Sequence, residues 1–144
     1  MNREEIERLD DAGIAAWDQH DADAFMNLFA DGFTWLDDTS PDPIRSSDAG
    51  REYMRSWFTA FPDMRVRATN RVVGDDAVAC ELEFTGTNTG TLAMGGMEMP
   101  ATGKPVTGRA TYFARAENGK IIEFHSHPDA AGMMAQLGLL GAGA

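Results

Sequence analysis

Three pieces of the last third, Pro100-Ala-Thr-Gly-Lys-Pro-Val106, Glu117-Asn-Gly-Lys-Ile-Ile-Glu123 and Gln136-Leu-Gly138, decide how this chain folds. In order they spell a loop, a strand, a tight turn, a second strand and a closing helix. Asn118-Gly119 lies between two runs of alternating apolar residues and marks a hairpin, because both residues tolerate positive φ. Strands are predicted over 106–116 and 120–127. Pro128-Asp129 then opens a short helix that ends near Leu137-Gly138. The tail 138–144 is expected to fray.

Working upstream, 90–104 is rich in Gly and Met and reads as an irregular loop, long enough to serve as a lid or an interface. The longest strand is predicted over 77–88, with Val78, Cys80, Leu82 and Phe84 on one face. Gly74-Asp75-Asp76 is a turn. A strand over 64–73 alternates Met64, Val66, Ala68 and Val72 against Arg65, Arg67, Thr69 and Arg71. The arginine stripe is expected on the outer sheet face, paired across strands with Glu81 and Glu83. A helix over 50–60, capped by Asp48, carries Tyr53, Met54, Trp57 and Phe58, and Pro62-Asp63 stops it. Residues 39–47 form a loop. Phe33, Trp35 and Asp37 share one face of a strand over 33–37. The first helix spans 3–20, with Ile6, Leu9, Gly13 or Ile14, and Trp17 as its apolar stripe. Asp21 caps a second short helix bearing Phe25, Leu28 and Phe29, and Gly32 ends it. Helices followed by strands give an α+β architecture of one domain over 1–144, whose bent sheet leaves a concave interior.

Composition narrows the function. The 144 residues carry a net charge of −11, and 43% of them are hydrophobic. So acidic a chain disfavours nucleic acid and anionic membranes as partners. No apolar run is long enough to span a bilayer, and the polar start is no secretory signal. Cys80 has no partner for a disulfide, which suits a reducing cytoplasm. There is no phosphate loop, no nucleophile elbow and no Cys-x-x-Cys.

Ordered pieces across nearly the whole chain resemble the SnoaL-like polyketide cyclase branch of the nuclear-transport-factor-2-like (NTF2-like) superfamily. They are Phe25-Met-Asn-Leu-Phe-Ala-Asp31, Gly50-Arg-Glu-Tyr-Met-Arg-Ser-Trp-Phe58, Phe61-Pro-Asp63, Gly86-Thr-Asn-Thr-Gly-Thr91 and the three C-terminal stretches quoted above. The resemblance implies a cone, in which a strongly curved antiparallel sheet is closed by three N-terminal helices and two copies pair through the sheet. It also implies aldol ring closure without metal or cofactor, run by a histidine and an acidic residue. Asn88 stands where that histidine would be, and Tyr112 falls near the place of the acid. Ketosteroid isomerases, which share the fold, keep their general base at a position similar to Asp37.

Two functions follow as expectations. The first is a cofactor-free cyclase or isomerase acting on a small hydrophobic, carbonyl-bearing ligand, with Asp37 as base and His125 as its acid/base partner. A carboxylate beside Trp35 and Phe33 loses hydration, which favours taking up a proton. Asn88 and Tyr112 are expected to hold an oxyanion, and Trp17, Trp35, Tyr53 and Trp57 to line the cavity. The second is a binding or dimerisation module without chemistry. Glu123, His125 and His127 alternate on one strand, a spacing that also suits a metal, although the reading assigns no metal and no cofactor.

Overall fold

The computed structural model describes residues 1–140, so the expected fraying of residues 141–144 lies outside the described residues. Eleven elements follow one another: α1 (Arg3–Asp18), α2 (Ala22–Met26), β1 (Phe29–Asp37), α3 (Ser47–Ala60), β2 (Arg65–Val73), β3 (Ala77–Thr87), β4 (Leu92–Met94), β5 (Met97–Met99), β6 (Pro105–Glu117), β7 (Lys120–Pro128) and α4 (Ala130–Gln136). The main sheet has the order β1-β7-β6-β3-β2. Its neighbours are antiparallel except for β1, which joins β7 in parallel. The expected α+β cone is present, with a curved, unclosed sheet and the leading helices across its hollow side.

Local chemistry accounts for the element ends. Asn118 and Gly119 both take positive φ, 51° and 80°, and turn β6 into β7. Asn2, Asp21, Ser46 and Asp129 cap α1, α2, α3 and α4, each accepting from a first-turn amide. Each such cap contributes about 1 kcal/mol. Ser46, not the expected Asp48, caps α3, and Asp48 instead pairs with Arg51 at 3.0 Å.

Three expectations change. Phe29 and Gly32 belong to β1 and not to the second helix. Gly32 takes φ 77°, and the β1–β7 register shifts between Phe29 and Thr34, so the glycine is a bulge inside the strand. A second bulge lies in β2 between Ala68 and Asn70. It flips the strand's inside–outside alternation, as one extra residue must. Arg71 consequently faces α1 instead of the outer surface, while Arg67 still pairs with Glu83 as expected, at 3.1 Å. Third, the Met-rich loop holds a small hairpin, β4–β5, turned by Gly95 and Gly96 at φ 59° and 80°.

The core is aromatic. Trp35 is fully buried and lies 5.1 to 6.5 Å, centroid to centroid, from Phe25, Phe29, Phe124, Tyr53 and Trp17. Four of these pairs are edge-on and Phe29–Trp35 is stacked; aromatic pairs of both kinds add about 0.5–1.5 kcal/mol each beyond their buried area. A second group, with Phe61, Phe84, Trp57 and Met133, fills the far end of the hollow beneath α4. Among the described residues no helix is long and apolar enough to cross a membrane.

Candidate functional site

Between α1 and the hollow face of the sheet lies a cavity of about 100 Å³. Its wall is almost wholly apolar, and Trp17, Trp35, Tyr53 and Trp57 all contribute to it. Two carboxylates interrupt that wall. Asp37 is 8% exposed and Asp10 is 7% exposed.

Strand register explains how Asp37 arrives there. Phe33, Trp35 and Asp37 are the inward residues of β1, with the alternation expected of a half-buried strand. Pairing of β1 with β7 sets Asp37 opposite Ser126, and pairing of β7 with β6 sets Ser126 opposite Tyr112. Cys80 of β3 and Arg71 of β2 continue the same row. A polar row therefore crosses all five strands.

Donors surround Asp37. Its Oδ1 accepts from the Thr39 amide at 2.8 Å and from the Thr39 hydroxyl at 2.6 Å. Its Oδ2 accepts from the Ser126 hydroxyl, which in turn accepts from the Trp35 indole N–H at 2.9 Å. Because Thr39 spends its proton on Asp37, the Tyr53 hydroxyl, 3.2 Å away, donates to Thr39. Burial, and then the charge of Asp37, push the Tyr53 phenol well above its ordinary value. Tyr53 therefore keeps its proton.

Asp10 has a different setting. One oxygen accepts from the Tyr112 hydroxyl, and the other lies 2.9 Å from Arg71 Nη1, which also reaches Asp11 at 2.7 Å. Desolvation, and then the charge of Asp10, hold the Tyr112 phenol protonated far beyond the ordinary tyrosine range. Tyr112 thus lines the cavity as expected, but its proton is committed to Asp10 and not to an oxyanion.

Two expected site residues lie elsewhere. Asn88 is fully buried but outside the cavity. Its amide nitrogen donates to the carbonyls of Ala60 and Gly90, and its carbonyl accepts from the amide and hydroxyl of Thr102. It locks the end of α3 to the loop before β6. His125 is on the outer face of β7, beside Phe113 at 6.0 Å, while its neighbours Phe124 and Ser126 face inward. Parity forbids all three from sharing a side. The expectation that His125 reaches into the cavity is corrected accordingly. Glu123 and His127 follow His125 outward, and His127 pairs with Asp38 at 3.0 Å. Among the described residues no three His, Cys, Asp or Glu side chains converge as metal ligands do.

Asp10 escaped the sequence reading, although a signal for it exists. Ile6, Asp10 and Gly13 follow one another at helical spacing on the buried face of α1. An acid inside an apolar stripe is the informative departure from pattern.

A family profile for SnoaL-like polyketide cyclases matches residues 7–137. The chain belongs to that family. Among solved structures, AclR from Streptomyces galilaeus, a proposed hydroxylase, superposes with TM-score 0.82 at 22% identity over 96% of this chain and 84% of its own. IdmH from Streptomyces antibioticus, a proposed polyketide cyclase, gives 0.74 at 22% identity over 92% and 97%. A Catenulispora acidiphila protein with a ketosteroid isomerase-like fold, complexed with trimethylamine, gives 0.74 at 18% identity over 91% and 92%. A search of curated proteins returned no match. Identities at this level establish the fold, and activities of this range on one scaffold mean that the site must carry the chemical argument.

The chain has two tyrosines, Tyr53 and Tyr112. Both folded values are raised, so the folded state holds protons that the unfolded state releases above about pH 10. Ultraviolet titration should show neither phenol ionising at about pH 10–11 while the fold persists, and stability should fall as pH rises through that range. Ionisation of either tyrosine at the ordinary value in the folded chain would contradict this placement.

Proposed function

We propose that this SnoaL-like protein is a cyclase- or isomerase-type catalyst that transfers a proton by acid/base chemistry alone. Its substrate would be a hydrophobic, carbonyl-bearing small molecule of polyketide-like or steroid-like character. The observation that carries the reading is Asp37, a buried carboxylate on an apolar cavity wall whose hydrogen-bond partners, Thr39 and Ser126, are all neutral. A base so held, out of reach of bulk water, suits abstraction of a proton beside a carbonyl. Tyr53 lies one hydrogen bond beyond Asp37 through Thr39. In this proposal its retained proton turns to the oxygen on which negative charge develops. Trp17 and Trp35 hold the ligand's apolar body.

Size limits the ligand. An engineered apolar cavity of about 150 Å³ binds one benzene, so a cavity of about 100 Å³ receives a single small ring at most. A fused polycycle requires the cavity to widen.

The outer sheet face suits a second copy of the chain. Leu36, His125, Phe113, Ala79 and Val72 form one row across all five strands, and Leu36 and Val72 are exposed. We assign this row to a homodimer contact. A reducing compartment such as the cytoplasm accords with the buried free thiol of Cys80. A second reading, a ligand-binding module without chemistry, gains support from Asn88, which occupies the place of the family's histidine yet serves only the fold.

Asp37→Asn, nearly isosteric, should fold with wild-type stability and slow deuterium exchange at the carbon beside the carbonyl of a cyclic aromatic ketone by about 10²–10⁴-fold. Equal exchange rates in variant and wild type would remove Asp37 from the mechanism and favour the binding module. Sedimentation should give a dimer that Val72→Glu with Phe113→Glu converts to monomer, whereas a wild-type monomer at every concentration would remove the contact.

A further inference from the structure

We infer that Asp10 gives the cavity a second polar end, one that accepts hydrogen bonds but offers none, so that it selects ligands carrying a hydroxyl or another donor there. The inference rests on reading the cavity as a ligand site. It adds to that reading a residue and a ligand chemistry that the Asp37 proposal does not require.

The reasoning begins with proton inventory. Tyr112 has one O–H, and it points at Asp10. Arg71 approaches Asp10 from the other side through Nη1, which it shares with Asp11. Arg71 lies in the outer groove beside α1 and is not part of the cavity wall. Asp10 and Tyr112 line the cavity at this end and Arg71 does not, so in this inference a ligand meets an oxygen of Asp10 and the lone pairs of Tyr112. An ionised carboxylate accepts about four hydrogen bonds and donates none. Two donors reach Asp10 here, so acceptor capacity is left over, and with its side chain only 4% exposed the water of the bulk does not fill it. Arg71 pairs with the carboxylate, while the ring of Phe124, stacked 5.2 Å from that of Tyr112, keeps the phenol in place.

The Asp37 end is also rich in acceptors. Thr39 and Ser126 spend their protons on the carboxylate, which leaves Tyr53, bonded to Thr39, as the donor that can turn to a ligand oxygen there. A ligand with only carbonyl or ether oxygens would set lone pair against lone pair at Asp10. A hydroxylated ring would donate into it. Sites built around a hydrogen bond to a substrate hydroxyl reject analogues that lack it far more strongly than apolar pockets reject a missing methylene. Asp10 is thus a specificity-determining residue, and the substrate class narrows to hydroxyl-bearing apolar rings whose reactive carbon lies toward Asp37.

Calorimetric titration of the full chain with resorcinol and with hydroquinone, each a single ring that the cavity admits, and each against its own dimethyl ether, tests this. The diol should bind at least about tenfold more tightly than the ether, the factor expected of a hydrogen bond to a charged group. Asp10→Asn should bring that preference down to about twofold or less. Tyr112→Phe, which frees more of the Asp10 acceptor capacity, should keep the preference, and it stands as the test should Asp10→Asn fail to fold. Equal binding of diol and ether, no saturable binding of either diol, a preference unchanged in Asp10→Asn, or one lost in Tyr112→Phe would overturn the proposal. Ketone exchange by Asp37 is a separate readout, so either reading can fail while the other stands.

Discussion

The parallel pairing of β1 with β7 is the constraint from which the site follows. It sets Trp35 against Phe124 and Asp37 against Ser126. Because side chains alternate strictly, a slip of one residue would send Trp35 and Asp37 to the outer surface and bring Leu36 inside. The fully buried Trp35, ringed by Phe25, Phe29, Tyr53 and Phe124, holds the register, since truncating such a side chain costs about 3–5 kcal/mol. Its indole N–H also donates to Ser126, the residue that donates to Asp37. One tryptophan therefore both packs the core and orients the polar group beside it.

The rest of the polar row follows from two irregularities. Without the bulge at Ala68/Asn70, Arg71 would stand outside with Arg67, and Asp10 would be a buried charge with no cation. Leaving such a charge unpaired costs several kcal/mol. Without Gly32 at φ 77°, β1 would not bend to bring both Phe29 and Trp35 onto the same rings. One bulge thus gives the α1 carboxylate its cation, and the other bends β1 toward the rings it packs against. Asn88 is a structural lock between the end of α3 and the loop before β6, and Tyr112 is the partner of a carboxylate on α1.

Much of this was legible in the residues. The Asn118-Gly119 turn, the Asp21 cap, the shared face of Phe33, Trp35 and Asp37, and the order of the pieces all rest on local rules that tertiary structure left standing. What failed did so for identifiable reasons. Alternation along β7 separates Glu123, His125 and His127 from Phe124 and Ser126, but a lone strand does not declare which side is inside. The β2 bulge leaves no mark in a run of mixed polar and apolar residues, so the fate of Arg71 was invisible. Asp10 was visible as an acid in an apolar stripe, but its meaning depends on Tyr112, 102 positions away in sequence.

A crystal structure of the chain grown with resorcinol examines the central claim most directly. The account predicts the ring in the cavity lined by Trp17 and Trp35, with one hydroxyl within hydrogen-bond distance of Asp10 and the ring edge turned toward Asp37. A ligand found only on the outer sheet face, or an Asp37 carboxylate turned into bulk water with the hollow closed over by side chains, would contradict it.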